Sequence, residues 1–548
     1  MNIKNFFPEN SFVENLKENK FARGALILLV GGLICKLIGA IYRIPLSNIL
    51  GPEGIGIYQL VFPIFSLFLI LASGGSATAL SKLVASCRAK GENKRARRFL
   101  FQSIILLLVV SLVFSGLFLA FGGPLSSFQG NEKAALGYVG AAIAIVFASV
   151  LTAFRGYFQG YQNMTPTAVS QIVEQVLKLV LGLTFAHLLI GRGPAYGAMG
   201  AMIGVGVSEI FALLYLAITY AFKRKKLDIL EPEIETTFSQ DLKLLIKQTL
   251  PITLNSLIMP LILAIDSFLI VNLLVSSGNS SEISTEMFGV YSGMVNSLVN
   301  FPTVFSMALA ISLVPAISYG REKQEKNLDA SSVFKLIFYI AIPCIFIYFC
   351  FSREIIAVLY PSATNQNLLS LGALLLRISA INILYISLLQ ITTAILQGNG
   401  KSLAALANVS VAGVIKILLT LVFVSGAFGI YGAAIASAIC YSIAAGLNII
   451  TLRHEFNFSI KFKPIFFIFL NSLISLGVAI GFNYLFNLTF SGLISIIFSL
   501  LIAGLMYLIF SIILPIFNDE ELSKIPLGSK IVTFKNKFFN LFKFKKKI

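Results

Sequence analysis

Lys36 and Arg43 stand seven residues apart inside one apolar run, LICKLIGAIYR. Seven residues are two helical turns, so both cations fall on one helix face. A cation at mid-bilayer costs on the order of 3 kcal/mol on insertion scales, so such groups turn to a bundle interior or a wet cavity. Two of them on one face suit an anion inside the membrane. The competing reading is that one snorkels to an interface or is neutralised by a structural partner. Pro45 then bends or ends the helix, and the turn from Gly51 to Gly56, GPEGIG, reverses the chain.

The remaining intramembrane charge is sparse. Asp266 is the acid of a later run, LAIDSFLIVNLL. Aligning Asn48 with Asn272 puts Arg43 opposite Ser267, so Asp266 falls one residue from the symmetry-related position of Arg43. Two readings stand: the charges pair in one state and part in another, or Asp266 belongs to a permanent structural pair. Glu174 and Lys178 are four apart with Glu first, the favoured order for a same-helix pair; a role for both in a cavity is the alternative. Arg377, in ALLLRISAINIL, is a further cavity cation, and Arg155, Glu209 and Lys416 suit cavity or packing. Lys82 reads as interfacial. Asn255, Asn296 and Asn300 would bind sugar hydroxyls or serve as interhelical hydrogen-bond glue. Pro45, Pro251 and Pro260 are candidate hinges.

Composition sets the frame for these residues. The 548-residue chain is 57% hydrophobic and 12% charged, with mean hydropathy +0.88, which is the composition of a polytopic membrane protein. A net charge of +18 invites a nucleic-acid reading, but the basic residues sit in loops between apolar runs. Loop placement explains that charge as topology plus attraction to anionic lipid headgroups. The opening residues, MNIKNFFPENSFVENLKENK, lack a cleavable signal pattern and are expected to form a short interfacial helix. Five cysteines and two isolated histidines show no metal-ligand spacing. No GxxxxGK[ST] loop or HExxH motif is present, and no loop is long enough for a catalytic domain. The expectation is therefore a non-enzyme with no metal and no cofactor, coupled to membrane potential, H+ or Na+.

Apolar runs of spanning length number fourteen, at 24–49, 56–86, 99–122, 135–160, 167–190, 197–222, 243–275, 287–318, 332–351, 367–396, 402–426, 430–452, 464–487 and 491–515. Runs two, seven, eight and ten exceed one bilayer thickness and should tilt, bend or extend into the interface. Basic connections follow runs two (CRAKGENKRARR), six (KRKKLD), eight (REKQEK) and twelve, and the tail ends FKFKKKI. The positive-inside rule puts these connections and both termini in the cytoplasm. The Phe- and Lys-rich tail from Ile531 reads as an interfacial helix.

The chain repeats itself. GIGIY at 54–58 matches FGVY at 288–291, FQG at 158–160 matches LQG at 396–398, and YGA at 196–198 matches YGA at 431–433. The expected architecture is all-α: a segment 1–23, an N-lobe 24–222 of six helices, a linker 223–242 with the acidic run EPEIE, a C-lobe 243–452 of six more, two extra helices in 453–515, and a basic tail 516–548. Two parallel repeats place a pseudo-twofold axis along the membrane normal and a site between the lobes near mid-bilayer.

Three stretches carry a resemblance: LGPEGIGIYQLVFP, the segment FP-(x)5-ALAISLVPAIS at 301–318, and AIDSFLI. With the fourteen-span plan, they make the chain similar to the SpoVB/YtgP branch of polysaccharide transport proteins. That branch lies within the MurJ-type lipid II flippase group of the MOP superfamily, related to MATE exporters. The resemblance implies two six-helix lobes in a V, two further helices forming a groove for a lipid tail, and export of undecaprenyl-diphosphate-linked sugars, above all lipid II. It implies that cavity cations meet the diphosphate, with Arg43 matching the arginines of the family's first helix. The wider group also carries arginines on its second and eighth helices. Here the neighbourhood of Ile70 and the stretch from Met294 to Asn300 are uncharged, so Lys36, Lys82 or Arg377 is expected to supply that charge. The expected partners are a lipid-linked oligosaccharide, the membrane and the cell-wall synthesis machinery. The alternatives are a flippase for teichoic, capsular or sporulation-specific units and a MATE-like drug or cation antiporter.

Overall fold

A backbone in hydrocarbon must satisfy its own polar groups, and every regular element described in this chain is accordingly a helix. The computed structural model describes residues 20–224, 236–322, 330–363, 365–455, 462–488, 492–519 and 532–533. The first interfacial helix, the EPEIE run and nearly all of the Phe- and Lys-rich tail lie outside the described residues.

The N-terminal half comprises α1 (Lys20–Ser73), α2 (Ser76–Ala89), α3 (Asn93–Phe128), α4 (Ala135–Gly160), α5 (Met164–Ile190) and α6 (Pro194–Arg224). Helix α1 continues through Pro45, which neither ends nor breaks it; the break falls at Gly51 (φ 70°, ψ 177°). That left-handed φ is open to glycine without strain. Arg43 lies over the Phe62 ring, 6.0 Å from its centroid, so the two arms of α1 fold back side by side.

The C-terminal half begins with α7 (Phe238–Ser256) and α8 (Ile258–Ser276), separated by a break at Leu257. Next come α9 (Ser281–Phe288), a π-helical segment (Gly289–Val295) and α10 (Asn296–Glu322). They are followed by α11 (Ala330–Cys350), α12 (Ser352–Leu359), α13 (Gln366–Ser379), α14 (Asn382–Gly398), α15 (Ser402–Ser425) and α16 (Ile430–Glu455). Helices α17 (Phe462–Asn487) and α18 (Gly492–Ile513) pack on each other, and α17 leans on α11.

Among the described residues twelve helical stretches are long and apolar enough to span a bilayer. One of these, Leu26–Ala89, runs 64 residues through the Gly51 reversal. Its arms before and after Gly51 each exceed the ~20 residues that one crossing needs, so it crosses twice. The pair α13–α14, bent by 42°, forms one further span. Read this way, the fourteen-span plan holds. Of the overlong runs, the seventh breaks at Leu257, the eighth contains the π segment, and the tenth bends between α13 and α14.

The two halves meet around a local dyad. A Cβ on Gly56 would fall 2.2 Å from the Thr285 carbonyl oxygen, and one on Gly289 would fall 2.1 Å from that of Pro52. Gly56 pairs with Gly289, and Pro52 with Thr285, at the same sequence offset as Gln59 and Ser292, which are 233 residues apart and joined by a 2.7 Å hydrogen bond from Gln59 Nε2 to the Ser292 carbonyl. The repeat read from GIGIY and FGVY is thus a contact made by symmetry.

At this far end, away from the basic loops, Asn131 donates to Thr285 (2.8 Å) and Lys133 bridges Glu53 and Glu282 (2.7 Å each). At the basic end Asp241, 1% exposed, takes hydrogen bonds from both Arg95 (2.8 Å) and Arg98, tying α7 to α3. Gln102 Nε2 donates to the Phe238 carbonyl in the same joint (2.7 Å). The second half therefore contacts the first at both ends, through α9 at the far end and α7 at the basic end.

Candidate functional site

Between the halves lies a cavity of ≈450 Å³. Its wall comes from both arms of α1, from α5, from the π segment with α10, and from Gln390 of α14. Three cations face it: Lys36 and Arg43 from α1 and Lys178 from α5. No Asp or Glu is among the residues that line it. The lining reaches from Ile55 and Gly293, near the dyad contact, down α10 to Met307, so the cavity extends toward the basic end.

Arg43 and Lys178 are held by neutral groups. Arg43 is half-buried, and its Nη1 reaches across the halves to Ser297 Oγ at 3.5 Å. Lys178 Nζ stands 5.4 Å from the Phe62 ring centroid and 5.8 Å from that of Tyr42, cation–π distances that orient an ammonium without neutralising it. Lys36 is exposed to the opening. The uncharged polar lining includes Gln59, Gln175, Asn300, Thr303 and Gln390.

The π segment shapes the opposite wall. Its i→i+5 turns disturb the backbone ladder, as such segments do at functional sites. Its carbonyls find other donors: Ser292 accepts from Gln59 (2.7 Å), Met294 from Tyr360 (3.2 Å) and Gly293 from Ser297 Oγ.

The structure distributes the other sequence candidates differently. Asp266 does not face Arg43 or the cavity. It pairs with Lys416 of α15 inside the C-terminal half, both residues more than nine-tenths buried. Glu174 pairs not with Lys178 but with Arg155 of α4 (2.7 Å), an interhelical partner, both side chains part-buried. Arg377 lies outside the cavity lining, donating through Nε to Ser352 Oγ at 2.8 Å. Asn300 lines the cavity and Asn296 sits one turn before it, outside the lining; the side chain of Asn255 lies outside the described residues. Pro251 lies within α7 and Pro260 in the first turn of α8, on either side of the Leu257 break. Lys82 is exposed on α2.

The Asp266–Lys416 pair yields a stability prediction. Asp266→Asn leaves an uncompensated buried ammonium, a change that costs about 3–5 kcal/mol in buried pairs. The expected outcome is a lowered melting temperature of the detergent-purified protein. Removing both charges (Asp266→Leu with Lys416→Met) should recover much of that loss. Equal melting of the wild type and Asp266→Asn would remove the pair from the fold's support.

Two helical halves related by a dyad, with a cavity between them and helices long and apolar enough to cross a bilayer, define the class of a multi-pass membrane protein. The model of the family described as "Polysaccharide biosynthesis protein" matches residues 21–321, and the chain belongs to that family. It is 28% identical over 461 residues to stage V sporulation protein B of Bacillus subtilis, covering 82% of this chain and 85% of that one. It is 26% identical over 485 residues to the lipid II flippase MurJ of the same organism, covering 84% and 88%. Among solved structures, the inward closed conformation of the lipid II flippase MurJ superposes with TM-score 0.63 at 16% identity, covering 89% of this chain and 98% of that one.

Proposed function

We propose that this protein exports undecaprenyl-diphosphate-linked oligosaccharide across the bacterial cytoplasmic membrane by alternating access, with lipid II as the first candidate substrate. The observation that carries the reading is the sign of the cavity: three cations and no carboxylate among its lining residues. A diphosphate fits such a wall. At an effective dielectric of about 20, a unit charge 4 Å away contributes roughly 4 kcal/mol.

In this reading the basic end faces the cytoplasm and both termini lie there. The N-lobe (24–222) and C-lobe (243–452) rock against each other, joined by the linker 223–242, and the dyad contact parts as the far end opens. The head group enters from the basic end between α1 and α10, where Lys36 meets it first and Arg43 with Lys178 seat the diphosphate. Gln59, Gln175 and Asn300 are placed to hydrogen-bond the sugars. The isoprenoid tail stays in lipid against the helices of 453–515. Opening the far end requires the Asn131–Thr285 and Lys133–Glu282 contacts to part. Charge moved through the membrane potential supplies about 2.3 kcal/mol per elementary charge per 100 mV.

A drug or organic-cation antiporter needs an acid in its cavity, and this lining has none. A flippase for a teichoic, capsular or sporulation-specific unit fits the same wall, and the similarity to stage V sporulation protein B supports that variant as well as the similarity to MurJ supports lipid II.

The test is complementation. The chain is expressed in a bacterium depleted of its own lipid II flippase, and lipid II on the outer leaflet is measured. Rescue is expected. A well-expressed wild type that fails to rescue removes lipid II and turns the search to other lipid-linked glycans.

A further inference from the structure

At and behind the cavity wall, α4, α5 and α6 carry four ionisable side chains, of which two form an ion pair. Arg155 and Glu174 satisfy each other at 2.7 Å. Lys178 and Glu209 remain. Lys178 is turned forward over the Tyr42 and Phe62 rings at the cavity. Glu209 of α6 is 7% exposed, and its Oε2 is buried with no hydrogen-bond partner.

The two lie at one level. A Cβ on Gly204 would fall 2.4 Å from the Gly182 Cα, so α5 and α6 touch there. Lys178 is one turn from Gly182, and Glu209 is five residues beyond Gly204 on the antiparallel neighbour. Glu209 lies in the fields of Glu174, Arg155 and Lys178, and Lys178 in those of Glu174, Glu209, Arg43 and Lys36. These are the charged groups that face the pair from α4, α5 and α1; Tyr42 and Cys35 are the neutral titratable groups of α1 nearby.

A buried carboxylate without a counterion is expensive, and protonation is its usual escape. The Lys178 side chain can neutralise Glu209 only by turning back from the cavity. We infer that Glu209 is a proton-binding site linked to anion occupancy of the cavity through Lys178. An anion in the cavity holds the Lys178 ammonium forward, and Glu209 then takes a proton from water entering at the cavity mouth. When the anion leaves, Lys178 swings back to Glu209 and the proton returns to water. No other bond changes, and charge balances: one proton replaces the ammonium as the neutraliser of one carboxylate. By linkage, proton and anion each tighten the binding of the other. The inference rests on the proposal that the cavity takes a diphosphate.

The full-length protein in lipid nanodiscs is titrated with farnesyl diphosphate from pH 5.5 to 8.5. Wild-type affinity should rise as pH falls, with a slope that approaches tenfold per pH unit at most for one linked proton. Glu209→Gln mimics the protonated group, so it should bind about tenfold more tightly than wild type at pH 8.5 and equally at pH 5.5. The ligand's own ionisation is common to both proteins and cancels in the comparison. Isothermal calorimetry of the wild type in two buffers of different ionisation enthalpy adds a measurement that needs no variant: net proton uptake on binding is expected. Parallel wild-type and Glu209→Gln curves, or calorimetry without proton uptake, overturn the linkage while leaving diphosphate binding intact. Absence of farnesyl diphosphate binding at every pH overturns the anion-cavity reading and the linkage with it.

Discussion

Arg43→Ala is expected to reduce export at least ~30-fold with normal expression and folding. Arg43 is the one lining cation with a hydrogen bond across the halves, to Ser297 at 3.5 Å, and its guanidinium lies over the Phe62 ring. Truncating one partner of a desolvated, hydrogen-bonded charge pair costs about 2–5 kcal/mol, and 2 kcal/mol is roughly 30-fold in binding. The fold should survive, because Arg43 is not the ion-pair partner of Glu174 or Asp266, which pair with Arg155 and Lys416. Arg43→Lys keeps the charge and loses the planar fork that grips two phosphate oxygens, so an intermediate loss is expected. The measurement is outer-leaflet exposure of the lipid-linked glycan per molecule of transporter. Full activity of a well-expressed Arg43→Ala would remove Arg43 from the substrate path.

The division between what the sequence discloses and what it hides follows the physics of each element. The spans are legible because hydrocarbon demands about 20 apolar residues per crossing, and the repeat is legible because two glycines must meet where the halves cross. Lys36, Arg43 and Asn300 are legible as candidates for a cavity because charge and amide groups in apolar runs need a wet surface or a partner, whereas Lys178 reads first as a same-helix partner of Glu174. Partners are harder to read. Asp266 and Lys416 are 150 residues apart, and only the packing of α8 on α15 makes them neighbours. Same-helix spacing favours Glu174 with Lys178 by a few tenths of a kcal/mol, a preference too small to resist the Arg155 guanidinium arriving from α4. Pro45 advertises a break that the helix does not make, since a proline is accommodated in a membrane helix when neighbouring groups satisfy the freed carbonyl. The π segment GVYSGMV has no periodic signature, because the hydrogen bonds that complete it come from Gln59 and Tyr360, distant in sequence. Gln59, Ser297 and Gln390 are neutral residues of a kind that also serves as ordinary interhelical glue.

Gly289→Ala is expected to pry the halves apart at the far end. The new methyl would stand 2.1 Å from the Pro52 carbonyl oxygen and 2.8 Å from the Gly56 backbone nitrogen. Both neighbours are backbone, so no rotamer change relieves the contact. Overpacking of this kind costs typically about 1–3 kcal/mol. The cost falls only on the conformer in which the far end is closed, because separated halves have room for the methyl. A penalty of that size shifts the equilibrium between closed and open conformers roughly 5- to 150-fold toward open. Gly56→Ala, its symmetry mate, meets the Thr285 carbonyl at 2.2 Å and should act in the same direction. The readout is labelling of Asn131→Cys by a membrane-impermeant thiol reagent, in a background from which the five native cysteines have been removed. Asn131 is 4% exposed and tied to Thr285 at the closed end, so its labelling should rise about fivefold or more with Gly289→Ala. Export should fall about tenfold, since a transporter held open at the far end loads poorly from the basic end. Gly116→Ala is the control: its methyl meets nothing within 4 Å, and neither labelling nor export should change. Labelling of Gly289→Ala at the parent level, with normal export, would mean that the glycine contact is not one that holds the far end closed.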